Sequence, residues 1–442
     1  MIISKIKLSK KRIVYVLFSF LLLMVFMRYG LQINIPREIL LAVATSILIL
    51  GDTNELIAIC ISCIPLHTSL DYLYVLLIGI AIFVIKNAKK IKIDMISIVI
   101  LLIIIWEIMH GFMGTFSFKH EVAIMMPFLL VWMLHSVRRQ TYSYDFIMKI
   151  YSIFVIGVGA TLLSKTMLSS GFNIQQSIRN MQRLGNVEED TEILGGTINP
   201  NSLGIMCVLG ITVLLQKVSY GNKKKSDIVC IIALLIIGFL TMSKTFVVCL
   251  LIMFTMFFID RRKSFNKRMK YLLYVLLILL FVGVLMLLLF PDVLDKFLMR
   301  WQENDIFSGR FSIMNEASTC IWSNPQIYLF GIGLQDYSKN VLHYVSYAPH
   351  DALNEILMAW GVPGFLMLVM FILSIILGAK KKNKNMGLVN LIPIMIILAK
   401  AIAGHLITSD YTMLSISLAY LSLVQDFSNS GNQYKVYNRE ND

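Results

Sequence analysis

Charge is scarce in this chain. Of its 442 residues only 15% are Asp, Glu, Lys or Arg, while 57% are hydrophobic and the mean hydropathy is +0.74. Soluble domains carry about a quarter charged residues, so a disordered or collagen-like chain is excluded. Cysteine builds no disulfide framework: Cys60, Cys63, Cys207, Cys230 and Cys249 fall inside apolar runs and Cys320 stands alone. The Cys60-x-x-Cys63 spacing matches a redox or metal pair, but within the apolar run ICISCI it reads as ordinary buried thiols. The sequence has no P-loop, which argues against an ATP-driven pump. It has no HExxH or paired-acid motif either. His67, His110, His120, His135, His343 and His405 lack partners at metal-ligand spacing, so neither a metal nor a cofactor is expected. No internal repeat is evident.

What the chain does have is apolar runs of spanning length, recurring from end to end. They read as helices over 13–27, 38–50, 55–67, 70–85, 93–110, 121–137, 145–166, 197–216, 227–242, 245–260, 271–290, 352–379, 386–404 and 408–425. Several are shorter than the ~20 residues an untilted helix needs to cross a bilayer. The pairs 38–50/55–67 and 227–242/245–260 therefore read equally as re-entrant hairpins. The fold class is an all-α polytopic membrane protein with about 12–14 transmembrane helices and one large outer loop of short helices.

The net charge of +14 suggests nucleic acid at first sight, but its distribution does not. Basic residues cluster between the apolar runs: Lys5 to Arg12, Lys86 to Lys92, Arg138/Arg139, Lys217 to Lys225, Arg261 to Lys270, Lys380 to Lys384, and Lys435/Arg439. Such clusters anchor cytoplasmic loops. They place both termini inside and the run Ile13 to Met27 as an uncleaved first span. The resulting division is a transmembrane bundle over 1–290, an extracytoplasmic loop over 291–351, C-terminal helices over 352–425 and a cytoplasmic tail over 426–442.

Two outer loops are long, about 168–197 and 291–351, and loops of such length are usually functional. In the second, Ile313, Met314, Ala317, Cys320 and Ile321 recur at helical spacing. Ser308-Gly309 reads as the entry of that helix and Asn324-Pro325 as its end. Gly331-Ile332-Gly333 reads as a turn. Pro349 is placed to open the next helix, with His350 in its first turn, and Gly361-Val362-Pro363-Gly364 reads as a kink with close packing.

By this topology Arg310, His350 and Lys244 share the outer face. A cation beside a helix N-terminus makes an anion site suited to phosphate or pyrophosphate, and Arg grips phosphate oxygens in two places. Each residue also has a plainer reading. Arg310 would pair with Glu303, Asp305 or Glu316, His350 would bond backbone at a helix end, and Lys244 would snorkel at the interface.

Taken in order, Ser308-Gly309-Arg310, Asn324-Pro325, Gly331-Ile332-Gly333, Pro349-His350-Asp351 and Trp360 to Gly364 resemble the signature region of the O-antigen ligase and Wzy-type polysaccharide polymerase superfamily. Gly195-Gly196 with Asn199-Pro200-Asn201, and the turn Ser243-Lys244-Thr245, are similar to two further stretches seen there. Lys244 departs from the more usual Arg, losing the fork but keeping the charge. Asp351 departs from the more usual Asn, and a carboxylate there is expected to raise the imidazole pKa.

The resemblance implies a GT-C-like glycosyltransferase working on undecaprenyl-diphosphate-linked repeat units at the outer face of the bacterial plasma membrane. In that family Arg310 and Lys244 would hold the diphosphate and His350 would activate the acceptor hydroxyl. Ser243, Asp351, Asn199 and Asn201 would support them. Its implied partners are lipid-linked oligosaccharides and membrane lipid, with a chain-length regulator and a flippase, and no nucleic acid. Polymerase is the favoured reading, with a ligase and a lipid-linked oligosaccharide flippase as alternatives.

Overall fold

The computed structural model describes residues 2–113, 117–136, 143–169, 171, 183–185, 198–219, 224–260, 265–289, 295–296, 298–299, 310–402 and 404–427. The expectations for Gly195-Gly196, Ser308-Gly309, Glu303, Asp305 and the C-terminal tail lie outside these residues.

Among the described residues the chain is helical from end to end. The apolar runs form α1 (Ile2–Val25), α2 (Arg37–Leu50), α3 (Thr53–Leu66), α4 (Tyr72–Asn87), α5 (Met95–Met113), α6 (Phe118–Ser136) and α7 (Tyr144–Ser169). They continue as α8 (Pro200–Ser219), α9 (Lys225–Leu240), α10 (Lys244–Ile259) and α11 (Phe265–Leu289). Three short helices follow, α12 (Arg310–Ser323), α13 (Pro325–Phe330) and α14 (Tyr337–Asn340). Then come α15 (Ala352–Lys382), α16 (Leu388–Ile402) and α17 (Asp410–Val424). Six described helices are long and apolar enough to cross a membrane: Lys10–Gly30, Tyr72–Lys90, Met95–Phe112, Tyr144–Leu168, Pro200–Ser219 and Ala352–Lys382. Helices α2 and α3, at 14 residues each, reach only about 21 Å.

Helices α3, α8 and α17 are buried on nearly every side, as a central helix must be. Around them α1, α4, α5, α9 and α10 turn apolar side chains outward, among them Val16, Leu23, Ile85, Leu101, Val229 and Leu251. In a polytopic membrane protein that apolar outer surface faces lipid, so exposed Leu and Val cost nothing there. Cys60 and Cys63 are fully buried in α3, away from any reagent.

Polar side chains gather at the two ends of the bundle. One end holds Lys217, Lys225 and Lys382 and is closed by bonds between helix termini. Lys217 Nζ pairs with buried Asp227 Oδ2 at 3.0 Å, and Lys382 Nζ donates to His135 O at 2.7 Å. Gln216 Nε2 donates to Val389 O and Ser422 Oγ, and Asn383 Nδ2 donates to Gln425 O at 2.7 Å.

At the other end the loop between α11 and α15 lies on the bundle. Helix α12 stops at Ser323 because Asn324-Pro325 starts a new helix. Asn324 Oδ1 accepts from Gln326 N at 3.2 Å, and Pro325 takes the first position, where a missing donor is harmless. The loop is then fastened to α15 at a break. Gly361 has φ 63° inside α15, and Pro363 has no N–H for the carbonyl of Ala359. The freed carbonyls are all taken: Met358 O by Ile332 N and Ala359 O by Gly333 N, both at 2.8 Å, and Trp360 O by Trp106 Nε1 at 3.2 Å. Both backbones must come close for this. A Cβ on Gly331, itself at φ 78°, would meet Trp360 N at 2.6 Å, and one on Gly361 would meet Leu329 C at 2.8 Å. The glycine motifs of the loop and of the kink are thus one joint, and their role is structural.

Candidate active site

The site lies beside that joint. Asp351 caps α15: its backbone is extended (φ −139°, ψ 145°) and Oδ1 accepts from Asn354 N at 2.9 Å. This corrects the expectation that Pro349 opens the helix with His350 in its first turn. A side chain that accepts the orphan N–H sets the start, so the helix begins at Ala352 and His350 stands in the loop just before it. The other Asp351 oxygen accepts from Asn354 Nδ2 at 3.0 Å, and the same amide donates to Met314 O at 3.1 Å, clasping α12 against α15. Arg310, the first residue of α12, is held close enough for its charge to act on His350.

The expected rise in the imidazole pKa is also corrected. His350 is held below the ordinary histidine value, first by burial, then by the neighbouring His405 and by Arg310. These outweigh the pull of Glu355 and Asp351. Neutral imidazole is the favoured form, which is the form a base requires.

His350 Nδ1 meets His405 Nε2 at 3.1 Å, with the two rings edge-on and their centres 5.0 Å apart. His405 Nδ1 in turn meets Glu355 Oε1 at 3.2 Å. Glu355, fully buried in the first turn of α15, also accepts from three consecutive backbone donors. These are Leu406 N at 2.6 Å, Ile407 N at 3.1 Å and Thr408 N at 3.2 Å, with the Thr408 hydroxyl added. A carboxylate in an apolar surround is costly unless so paired, and here it organises the whole 405–408 loop. Lys400 Nζ donates to His405 O and, at 2.9 Å, to Thr412 Oγ1.

The second arm of the site is the turn before α10. Ser243 caps that helix by accepting from Phe246 N at 3.2 Å and donates to Asn201 Oδ1 at 2.8 Å. Asn199 Oδ1 accepts from Asn201 N at 2.8 Å, so Asn199, Asn201 and Ser243 come together. Lys244 takes the first helical position of α10. A cation at the positive end of a helix dipole is unfavourable by about 0.3–1 kcal/mol, and an anion seated there would relieve it. The preceding Met242, at φ 48°, makes the turn tight. Elsewhere at this end, Lys400 Nζ stands 5.2 Å from the centre of the Tyr411 ring and donates to His405 O.

Four participants escaped the sequence reading. Glu355 carried a visible signal, an ionisable residue inside an apolar helix, which marks function by default. His405 carried none, since its partners are 50 and 55 residues away in sequence. Tyr411 looks like one more apolar-face aromatic. Arg183 supplies a further cation: Nη2 donates to Asn201 Oδ1 at 2.7 Å and Nε to Thr241 O at 3.1 Å.

The arrangement unites cations, a half-buried imidazole and a buried carboxylate at one end of a helical bundle. Comparison with known families finds one similarity. Residues 229–369 match the Wzy_C family model, described as O-Antigen ligase. The matched stretch, similar to the O-antigen ligase and Wzy-type superfamily, runs from α9 to the middle of α15. It contains Ser243, Lys244, Arg310, His350 and Glu355; Lys400, His405, Tyr411 and the 199–201 segment lie outside the match. A search of the curated proteins finds no match.

Proposed function

We propose that this protein is a polysaccharide polymerase that transfers a growing glycan from undecaprenyl diphosphate to the next lipid-linked repeat unit. The reading is supported by Arg310 acting on His350 just before α15 and by Lys244 at the first position of α10, at helix ends away from the one that holds Lys217 and Lys382. With the basic clusters in the cytoplasm, the termini are inside and the site faces outward from the plasma membrane. Lipid-linked substrates are available there and nucleotide sugars are not.

The reaction follows from the side chains. Arg310 and Lys244 hold the donor diphosphate and stabilise the charge that grows on it as the glycosidic bond breaks. His350 takes the proton of the acceptor hydroxyl while that oxygen bonds the sugar carbon. The bond to the diphosphate breaks with its electron pair, and the lipid diphosphate leaves. The chemistry needs no metal, because protein cations face the leaving group. A chain-length regulator and a flippase would work beside such an enzyme.

Glycan analysis of cells lacking the protein tests the reading. Single repeat units on the lipid carrier support a polymerase, long polymer left unattached indicates a ligase, and units held on the inner leaflet indicate a flippase. Cysteines placed beside Ser243 and Pro349 should react with membrane-impermeant reagents from outside the cell. Labelling only from the cytosol overturns the orientation.

A further inference from the structure

The hydrogen bonds around His350 have an order, and the order decides where its protons sit. Glu355 receives three backbone N–H groups, which can only donate, so its oxygens act as acceptors. His405 Nδ1, 3.2 Å from Glu355 Oε1, must therefore carry the hydrogen. A neutral imidazole has one donor and one acceptor nitrogen, which leaves His405 Nε2 with its lone pair. That lone pair faces His350 Nδ1 at 3.1 Å, so the hydrogen of His350 sits on Nδ1 and its Nε2 is left bare. Among the described residues Nε2 has no partner.

We propose that Glu355 and His405 form a two-step relay that fixes His350 in the tautomer whose Nε2 accepts the acceptor sugar's proton, which makes both of them positioning residues. The proposal rests on reading His350 as the base of glycan transfer. During the step the hydroxyl proton moves to His350 Nε2, and the imidazolium that forms donates from Nδ1 to His405. His405 is braced by the ionised Glu355, which is fixed by backbone rather than by mobile side chains. Arg310 from α12, Asp351 and Glu355 beside or on α15, and His405 from the α16–α17 loop are the charged and titratable groups that act on His350, with Lys400 bonded to the His405 carbonyl. Arg310 disfavours the imidazolium, whereas neutral His405, accepting from Nδ1 and braced by Glu355, supports it, so the base is neutral before the step and supported after it. Removing a group that holds a histidine's tautomer costs up to about 10⁴ in rate in hydrolytic triads. A half-buried relay in which His405 still has some exposure should be worth about 10- to 100-fold.

The test uses the full-length protein, ¹⁵N-labelled on histidine, in lipid bilayers. Signals of His350 and His405 are assigned by their loss in His350→Gln and His405→Gln. In the wild type, His350 should carry its hydrogen on Nδ1 with Nε2 bare. Transfer is then measured on lipid-diphosphate-linked repeat units. His405→Ala should lower kcat by about 10- to 100-fold with little change in KM. His405→Gln should recover most of that loss, since one amide can donate to Glu355 and accept from His350. Glu355→Gln should mix the two His350 tautomers. Should that variant fail to fold, the His405→Gln rate decides the matter. A wild-type His350 protonated on Nε2, or a His405→Gln variant as slow as His405→Ala, overturns the relay. The expected tautomer in a protein that transfers nothing overturns the functional reading beneath it.

Discussion

Each end of the bundle has a histidine linked to a carboxylate, directly at one end and through a second histidine at the other, and the two are built for opposite purposes. His135, nine-tenths buried at the basic end, bonds Asp94 through Nε2 and Tyr420 Oη through Nδ1 at 2.8 Å. Both nitrogens are used, and Lys382 closes over the pair through its bond to His135 O. At the opposite end His350 spends only Nδ1, on His405, and stands half-buried beside Arg310. The same residue types thus make a fastening in one place and a reactive group in the other. The difference lies in how many hydrogen-bonding atoms are left over. A saturated histidine holds helices together, whereas an unsaturated one beside a cation has something to offer a substrate.

Replacing the two histidines in turn is the sharpest way to break this contrast. His350→Ala should lower transfer by about 10²- to 10⁴-fold while leaving protein level and membrane insertion intact. His135→Ala should retain transfer but lose about 1–3 kcal/mol of stability, because Asp94 and Tyr420 lose their partner; thermal unfolding in detergent measures it. Equal loss of transfer in both variants would end the distinction.

Arg310→Ala is expected to reduce kcat by about 10²- to 10³-fold, the scale of removing one preorganised group from a developing anion. Arg310→Lys should be partly active, retaining charge without the fork. Chain length on the lipid carrier reads both, and normal-length polymer from Arg310→Ala would remove the site assignment.

A smaller effect concerns pH. Because burial, His405 and Arg310 hold His350 below the ordinary value of about 6.5, the neutral base persists as pH falls through that value. The acid limb of kcat/KM should therefore lie below about 6.5. A limb at or above it would mean that Glu355 and Asp351 prevail. Lys244→Arg is expected to be neutral or improved, since the turn keeps its charge and gains a fork. Complete loss there would mean the turn beside Met242 has no room for a guanidinium.

How much of this was legible beforehand follows from the range of each interaction. Apolar runs between basic clusters determined the helices and which of their ends share a side, because hydrophobicity acts residue by residue. Asn324-Pro325 and the Gly361 to Gly364 kink were readable for the same local reason, since proline removes its donor wherever it stands. Arg310, His350 and Lys244 stood out as cations near helix starts. The start of α15 was misplaced by three residues, because Pro349 and Asp351 both favour a beginning and only the side-chain bond to Asn354 N chooses between them. His405 beside His350, Glu355 inside the 405–408 loop and Gly331 against Gly361 were decided by tertiary structure alone. Each depends on helices far apart in the chain packing at a particular depth and rotation, and a hydrogen bond gained or lost over an ångström carries no trace in local sequence.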